Sequence, residues 1–185
     1  MQFEIPKKEA VSSGNKEIFD SLEQSLGAVP NLYAVMAYSR NGLTRYLTFH
    51  NSASSLNIKE KTIVNLVVSE LNNCTYCVSD QKYIAKMNDF SDEEILQIRN
   101  GNANKLKWNA LALLVKTIIE NKGVVDDDVL EKFFEAGYDK ENLVDVVMQV
   151  SDTIASNYLW NLSNVPVDFP LAPEMDKEMQ MIKKK

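Results

Sequence analysis

Three observations predict an all-α chain. Apolar residues recur at three- and four-residue spacing along nearly all of the sequence, sustained period-two alternation of β-branched residues is scarce, and short turn signals built on Gly, Pro, Asn and Ser separate the apolar segments. A length of 185 residues, 45% hydrophobic and 25% charged, lies in the one-domain range and can bury a sizeable core. We therefore read residues 1–185 as a single domain, with an extended, proline-containing C-terminal segment over 164–185.

The elements follow in order. An early helix carrying Ile18, Phe19 and Leu22 stops near Gly27, and Pro30 opens the next one, where a missing N–H costs nothing in a first turn. From about Asn41 to Ser52, Leu43, Tyr46, Leu47 and His50 share one face, and Ser54-Ser55 interrupts the pattern before a helix beginning near Ile58. Ile63, Leu66, Val67, Val68 and Leu71 make that helix apolar on more than one side, which predicts burial, and it ends at Asn72-Asn73. Ser91 with Glu94 reads as a capping box that starts another helix. Leu106, Leu111, Leu114, Val115, Ile118 and Ile119 build a long amphipathic helix stopped at Gly123, and Asp126 through Phe134 a shorter one closed by Gly137. Asp139 is the expected N-cap of a final helix through Val146, Val147, Val150 and Tyr158, its box only partial because Asn142 stands where Glu or Gln would. Pro166, Pro170 and Pro173 then forbid a helix, so the chain from about Asn164 to Glu174 should run extended over a surface of its own subunit or a neighbour.

Composition excludes several function classes. The formal charge of −6, from 20 Lys+Arg against 26 Asp+Glu, argues against nucleic acid as a partner, since phosphate binding needs a cationic surplus. No apolar run approaches the roughly 20 residues of a membrane span, and residues Met1 to Ala10 are polar where a signal peptide would be apolar, so we expect a cytoplasmic protein without membrane contact. Lys183-Lys184-Lys185 reads as a solvated end, and Trp108 and Trp160 as core or interface anchors.

Chemistry concentrates in Cys74-Thr75-Tyr76-Cys77. Two thiols three residues apart at a helix start can close into a disulfide and reopen, and the unpaired N–H groups and macrodipole of a first turn favour the thiolate, which is the nucleophile. A purely stabilising bridge fits poorly, because closing a loop of about four residues contributes only about 2 kcal/mol and a reducing cytosol would open it. Zinc would have to recruit carboxylates or a second subunit, since the chain holds 2 Cys and 1 His. We assign no metal and no cofactor. Two inert, buried cysteines remain the structural alternative.

The stretch Val68-Ser69-Glu70-Leu71-Asn72-Asn73-Cys74-Thr75-Tyr76-Cys77 resembles the core of the carboxymuconolactone decarboxylase and AhpD-like alkylhydroperoxidase superfamily. Val29-Pro30-Asn31-Leu32, Phe90 to Ile95, Ala136-Gly137-Tyr138 and Asn164 to Pro170 are similar to its peroxidase-related branch in order and spacing. The resemblance implies an AhpD-like helical bundle assembling into a homo-oligomer (dimer, trimer or hexamer) and a dithiol acting on a hydroperoxide or disulfide substrate. It further implies Cys77 as the attacking thiol, Cys74 as the resolving one, and an external dithiol reductant, a protein or a lipoyl-type group. Members of the AhpD type relay the thiol proton through a glutamate twelve residues before the first cysteine and a histidine four after the second. Here those positions hold Thr62 and Gln81.

Gln81 can hydrogen-bond a thiolate or a water but cannot take up a proton at neutral pH. Glu70 and Asp80 are candidate substitutes, although Glu70 lies two helical turns from Thr62 and roughly 80° around the axis. His50 is a more distant candidate. Two other function classes follow from the same residues: a redox-sensing or binding protein that lost turnover with the Glu/His relay, and a lactone decarboxylase that ignores the thiols and holds a carboxylate through Arg40, Arg45 or Lys61.

Overall fold

A computed structural model describes residues 2–175 of the chain. Among them, a 3-10 turn at Lys8–Ala10 leads into nine α-helices: α1 Ser13–Leu26, α2 Asn31–Met36, α3 Gly42–His50, α4 Ile58–Leu71, α5 Thr75–Met87, α6 Asp92–Arg99, α7 Leu106–Glu120, α8 Asp127–Glu135 and α9 Lys140–Ser163. The all-α reading holds, and no described helix is long and apolar enough to cross a membrane.

Local chemistry accounts for most helix ends. Gly27 closes α1 with φ +84°, a left-handed conformation available to glycine without Cβ cost. Pro30 is the residue before the first helical position of α2 rather than inside its first turn. Ser91 and Glu94 form the expected box on α6. On α9 the box is complete, because the Asn142 side chain accepts from the Asp139 N–H as a glutamate would. A third box, Asn57 with Glu60 on α4, went unread in the sequence because Asn57 sits within a run of serines and asparagines with no single obvious cap.

Helix α4 is the axis of the molecule, packed against α5, α6, α7 and α9. Everything from Thr62 to Ser69 on it is buried, which is why its sequence shows no polar face. One apolar core joins α4 to α6, α7, α8 and α9 through residues such as Leu66, Ile98, Leu114 and Phe133. A second core joins α1, α2 and α3 to the cysteine segment through Phe19, Leu32, Leu43 and Tyr76. The chain from Asn164 to Glu174 forms no helix and crosses its own subunit: Asp168 accepts from the Asn31 N–H at 2.7 Å, Ser79 Oγ accepts from the Ala172 N–H at 3.0 Å, and Arg99 donates to Pro173 O at 3.1 Å. The lysines of the 183–185 end lie outside the described residues.

Candidate functional site

The cysteines are set by the turn between α4 and α5. Asn73 takes a left-handed conformation (φ 53°), tolerated by asparagine, and Cys74 follows as the N-cap of α5. Two α9 side chains brace this turn through three hydrogen bonds: Asn161 donates to Asn72 O at 2.8 Å, Asn157 Oδ1 accepts from Asn72 at 3.0 Å, and Asn157 donates to Ser69 Oγ at 3.2 Å. Cys74 and Cys77 are joined as a disulfide with Cα atoms 5.3 Å apart. The Cys77 N–H donates to Cys74 Sγ at 3.2 Å, so the first turn of α5 supplies a donor to the inner sulfur. Both cysteines are buried, Cys74 completely and Cys77 with 6% exposure, so Cys77 is the less enclosed of the two.

Tyr76 packs inward between the cysteines, edge-on to Phe169 of the C-terminal segment at 5.4 Å, and its hydroxyl meets Asp168. Burial, and secondarily Asp168, pushes the Tyr76 phenol far above its ordinary range, so it stays neutral.

One turn beyond Cys77, Asp80 and Gln81 face a buried polar layer. Gln81 Nε2 donates to Asp80 at 2.9 Å, while its Oε1 accepts from Asn65 at 3.1 Å. Asn65 Oδ1 in turn accepts from Gln149 at 2.9 Å and from Thr153 at 2.8 Å. Gln149 also approaches Asp152 at 3.3 Å, and Asp152 pairs with His50 Nδ1 at 2.8 Å. His50 stacks on Tyr46, which neighbours Tyr33. The Asp152 hydrogen bond holds the His50 pKa above its usual value against the opposing effect of burial. Burial pushes the Asp80 carboxyl up to about 6, with Gln81 and His50 pulling the other way. Tyr33 and Tyr46 are likewise kept neutral, first by burial and then by the nearby carboxylates. His50, Gln149 and Asp152 also line a half-open cleft of about 190 Å³, with Lys61, Phe49 and Met148 on its walls.

The structure joins Cys74 to Cys77 and links Asp80 with Gln81 and, through its charge, with His50, while Thr62 and Glu70 are engaged elsewhere. The Thr62 hydroxyl is turned back onto Ile58 O at 2.8 Å. Glu70 accepts from Arg99 Nε at 2.7 Å, so it anchors the helix that holds the C-terminal segment. Of Arg40, Arg45 and Lys61, Lys61 alone lines the cleft. Asn65, Gln149 and Asp152 were not read from the sequence. A signal existed: Gln149, Asp152, Thr153, Ser156 and Asn157 repeat at helical spacing as a polar stripe, and most of it is buried while Val144, Met148, Tyr158 and Leu162 on the same helix are exposed. Among the described residues, no group of three or more His, Cys, Asp or Glu side chains could hold a metal ion.

Comparison with known proteins places this geometry. Residues 37–115, from the end of α2 through the middle of α7, match the model of the carboxymuconolactone decarboxylase family. No curated protein sequence matches the chain. Among solved structures, an alkylhydroperoxidase AhpD core protein described as peroxidase-related, from Ralstonia eutropha JMP134, superposes with a TM-score of 0.78 at 16% identity, covering 94% of this chain and 93% of that one. A peroxidase-related protein from Silicibacter sp. TM1040 gives 0.76 at 14% identity over 94% and 92%. A cysteine-to-alanine variant of the debrominase Bmp8, in complex with 2,3,4-tribromopyrrole, gives 0.72 at 12% identity over 98% of both chains. The fold is AhpD-like.

Proposed function

We propose that this chain, whose residues 37–115 belong to the carboxymuconolactone decarboxylase family, works as a dithiol oxidoreductase that reduces hydroperoxides. The observation that carries the reading is the Cys74–Cys77 pair, at bonding distance at the start of α5, with Cys77 the less buried of the two and the Cys74 sulfur capped by an N–H. In the reduced state, Cys77 attacks the peroxide: an S–O bond forms, the O–O bond breaks, and an alcohol or water leaves. Cys74 then attacks the sulfenic acid, releasing water and closing the disulfide. An external dithiol, of a protein or a lipoyl-type group, restores both thiols by taking on the disulfide. It attacks Cys77 Sγ, and the capped Cys74 is the better-stabilised leaving thiolate.

The test is peroxide consumption with a dithiol donor, run beside Cys77→Ser. Rate in the parent and none above background in the variant supports the reading; equal rates remove it. Replacing peroxide with a brominated pyrrole in the same assay asks whether the two electrons go instead to a carbon–halogen bond.

A non-enzymatic redox sensor is the second reading, favoured by an amide at position 81 and by the burial of both cysteines. It predicts a Cys77 thiol at or above the unperturbed value of about 8.5 and negligible reaction with peroxide. The lactone decarboxylase reading rests on Lys61 alone and has less support. Self-association is supported by α9, where Val144, Met148, Tyr158 and Leu162 are exposed at alternating four- and three-residue steps through Ser151 and Ala155. Sedimentation of the parent against Met148→Glu with Leu162→Glu tests it.

A further inference from the structure

We infer that Asp80 is the group that exchanges a proton with Cys77, and that Gln81 positions it. The inference rests on the dithiol reading and deepens it. Three observations lead here.

First, Asp80 lies three residues after Cys77 on α5, one helical turn away on the same side, where side chains are neighbours. Second, its orientation is imposed. An amide presents an oxygen at one end and N–H groups at the other. Because Gln149, whose N–H also faces Asp152 Oδ2, donates to Asn65 Oδ1, the Asn65 amide points its N–H at Gln81 Oε1; Gln81 then has its N–H left for Asp80. The polarity runs one way along the chain and ends on a carboxylate oxygen. Third, no other proton carrier occupies the relay positions, since Thr62 is bonded to Ile58 O and the Gln81 amide cannot protonate.

The groups facing Asp80 complete its setting. His50 of α3 favours its ionised form and Asp168 of the C-terminal segment opposes it, while Asp152 of α9 is paired with His50. Tyr33, Tyr46 and Tyr76, from α2, α3 and α5, are neutral and feel its charge. A carboxyl titrating near 6 is poised to give and take a proton close to neutral pH. In the reaction, the Cys77 thiol proton passes to the Asp80 carboxylate as sulfur attacks the peroxide oxygen, and Asp80 returns that proton to the departing alkoxide. The net change is thiol plus hydroperoxide giving sulfenic acid plus alcohol, with sulfur oxidised by two electrons and Asp80 unchanged.

The test measures three quantities on reduced parent and Asp80→Asn: the rate with an alkyl hydroperoxide, the rate of Cys77 alkylation by iodoacetamide at pH 7, and the melting temperature. Loss of proton transfer should slow the peroxide reaction about 100-fold. Alkylation needs no proton on its leaving iodide and should be equal or faster, because a negative charge beside the thiolate is gone. The melting temperature should not fall. Gln81→Met should raise the pH midpoint of the peroxide rate by up to about one unit, since the hydrogen bond that favours ionised Asp80 is lost. A peroxide rate in Asp80→Asn within threefold of an active parent overturns the role of Asp80 and leaves the dithiol reading standing. A parent that does not consume peroxide overturns both.

Discussion

Phe169 lies edge-on against Tyr76 with ring centroids 5.4 Å apart, so the last aromatic residue of the chain rests on a residue between the two cysteines. The contact spans 93 positions of sequence and packs the C-terminal segment against the core that holds both cysteines. Aromatic pairs of this geometry contribute about 0.5–1.5 kcal/mol beyond their burial. Phe169→Ala should therefore raise the alkylation rate of reduced Cys77 by about 2- to 10-fold, read by iodoacetamide labelling and mass spectrometry. An unchanged rate would mean that the segment does not limit access.

Asp80 ties the fold to pH. Its folded value is raised from 3.8 to about 6, so the ionised form costs the fold above pH 6 and the cost fades as both states protonate toward pH 4. Asp80→Asn removes that cost while keeping the shape. It should be more stable than the parent at pH 7 by about 1–3 kcal/mol, the gap closing near pH 4, as urea denaturation at the two pH values would reveal.

His50 has the opposite sign. Its raised pKa means that the pairing with Asp152 stabilises the fold fully below pH 6.5 and weakens as pH rises through the folded value. Relative to His50→Gln, the parent should lose stability between pH 6 and pH 8, followed by thermal melting in matched buffers.

Asn65 holds three partners at once, and a nonpolar replacement strands buried groups rather than merely deleting a bond. Asn65→Ala should cost about 2–4 kcal/mol, on the scale of one or two unsatisfied buried groups. Chemical denaturation would measure it.

Reduction of Cys74–Cys77 should by contrast move global stability by only about 2 kcal/mol, because the closed loop is so short. Melting with and without a dithiol reductant checks this. A much larger loss would assign the bridge a structural role.

Features settled within one turn of chain are legible in the order of the residues. Ser91 with Glu94, Asp139, Gly27 and the prolines after Asn164 mark their boundaries because a cap or a forbidden φ acts over three or four residues, and the position of the CxxC after Asn72-Asn73 puts its thiols at the start of α5, Cys74 as the N-cap and Cys77 in the first turn. Where a cap was misjudged, as at Asn142, the reason was also local: an amide oxygen accepts as a carboxylate does. Tertiary structure decided the rest. Which surface the C-terminal segment crosses, that Glu70 meets Arg99, that His50 meets Asp152 across 102 residues, and that Asn65 connects Gln149 to Gln81 depend on how α3, α5 and α9 pack around α4. Such pairings are settled by the requirement that every polar group taken out of water find a partner, and that requirement has no address in the sequence until the helices are in contact.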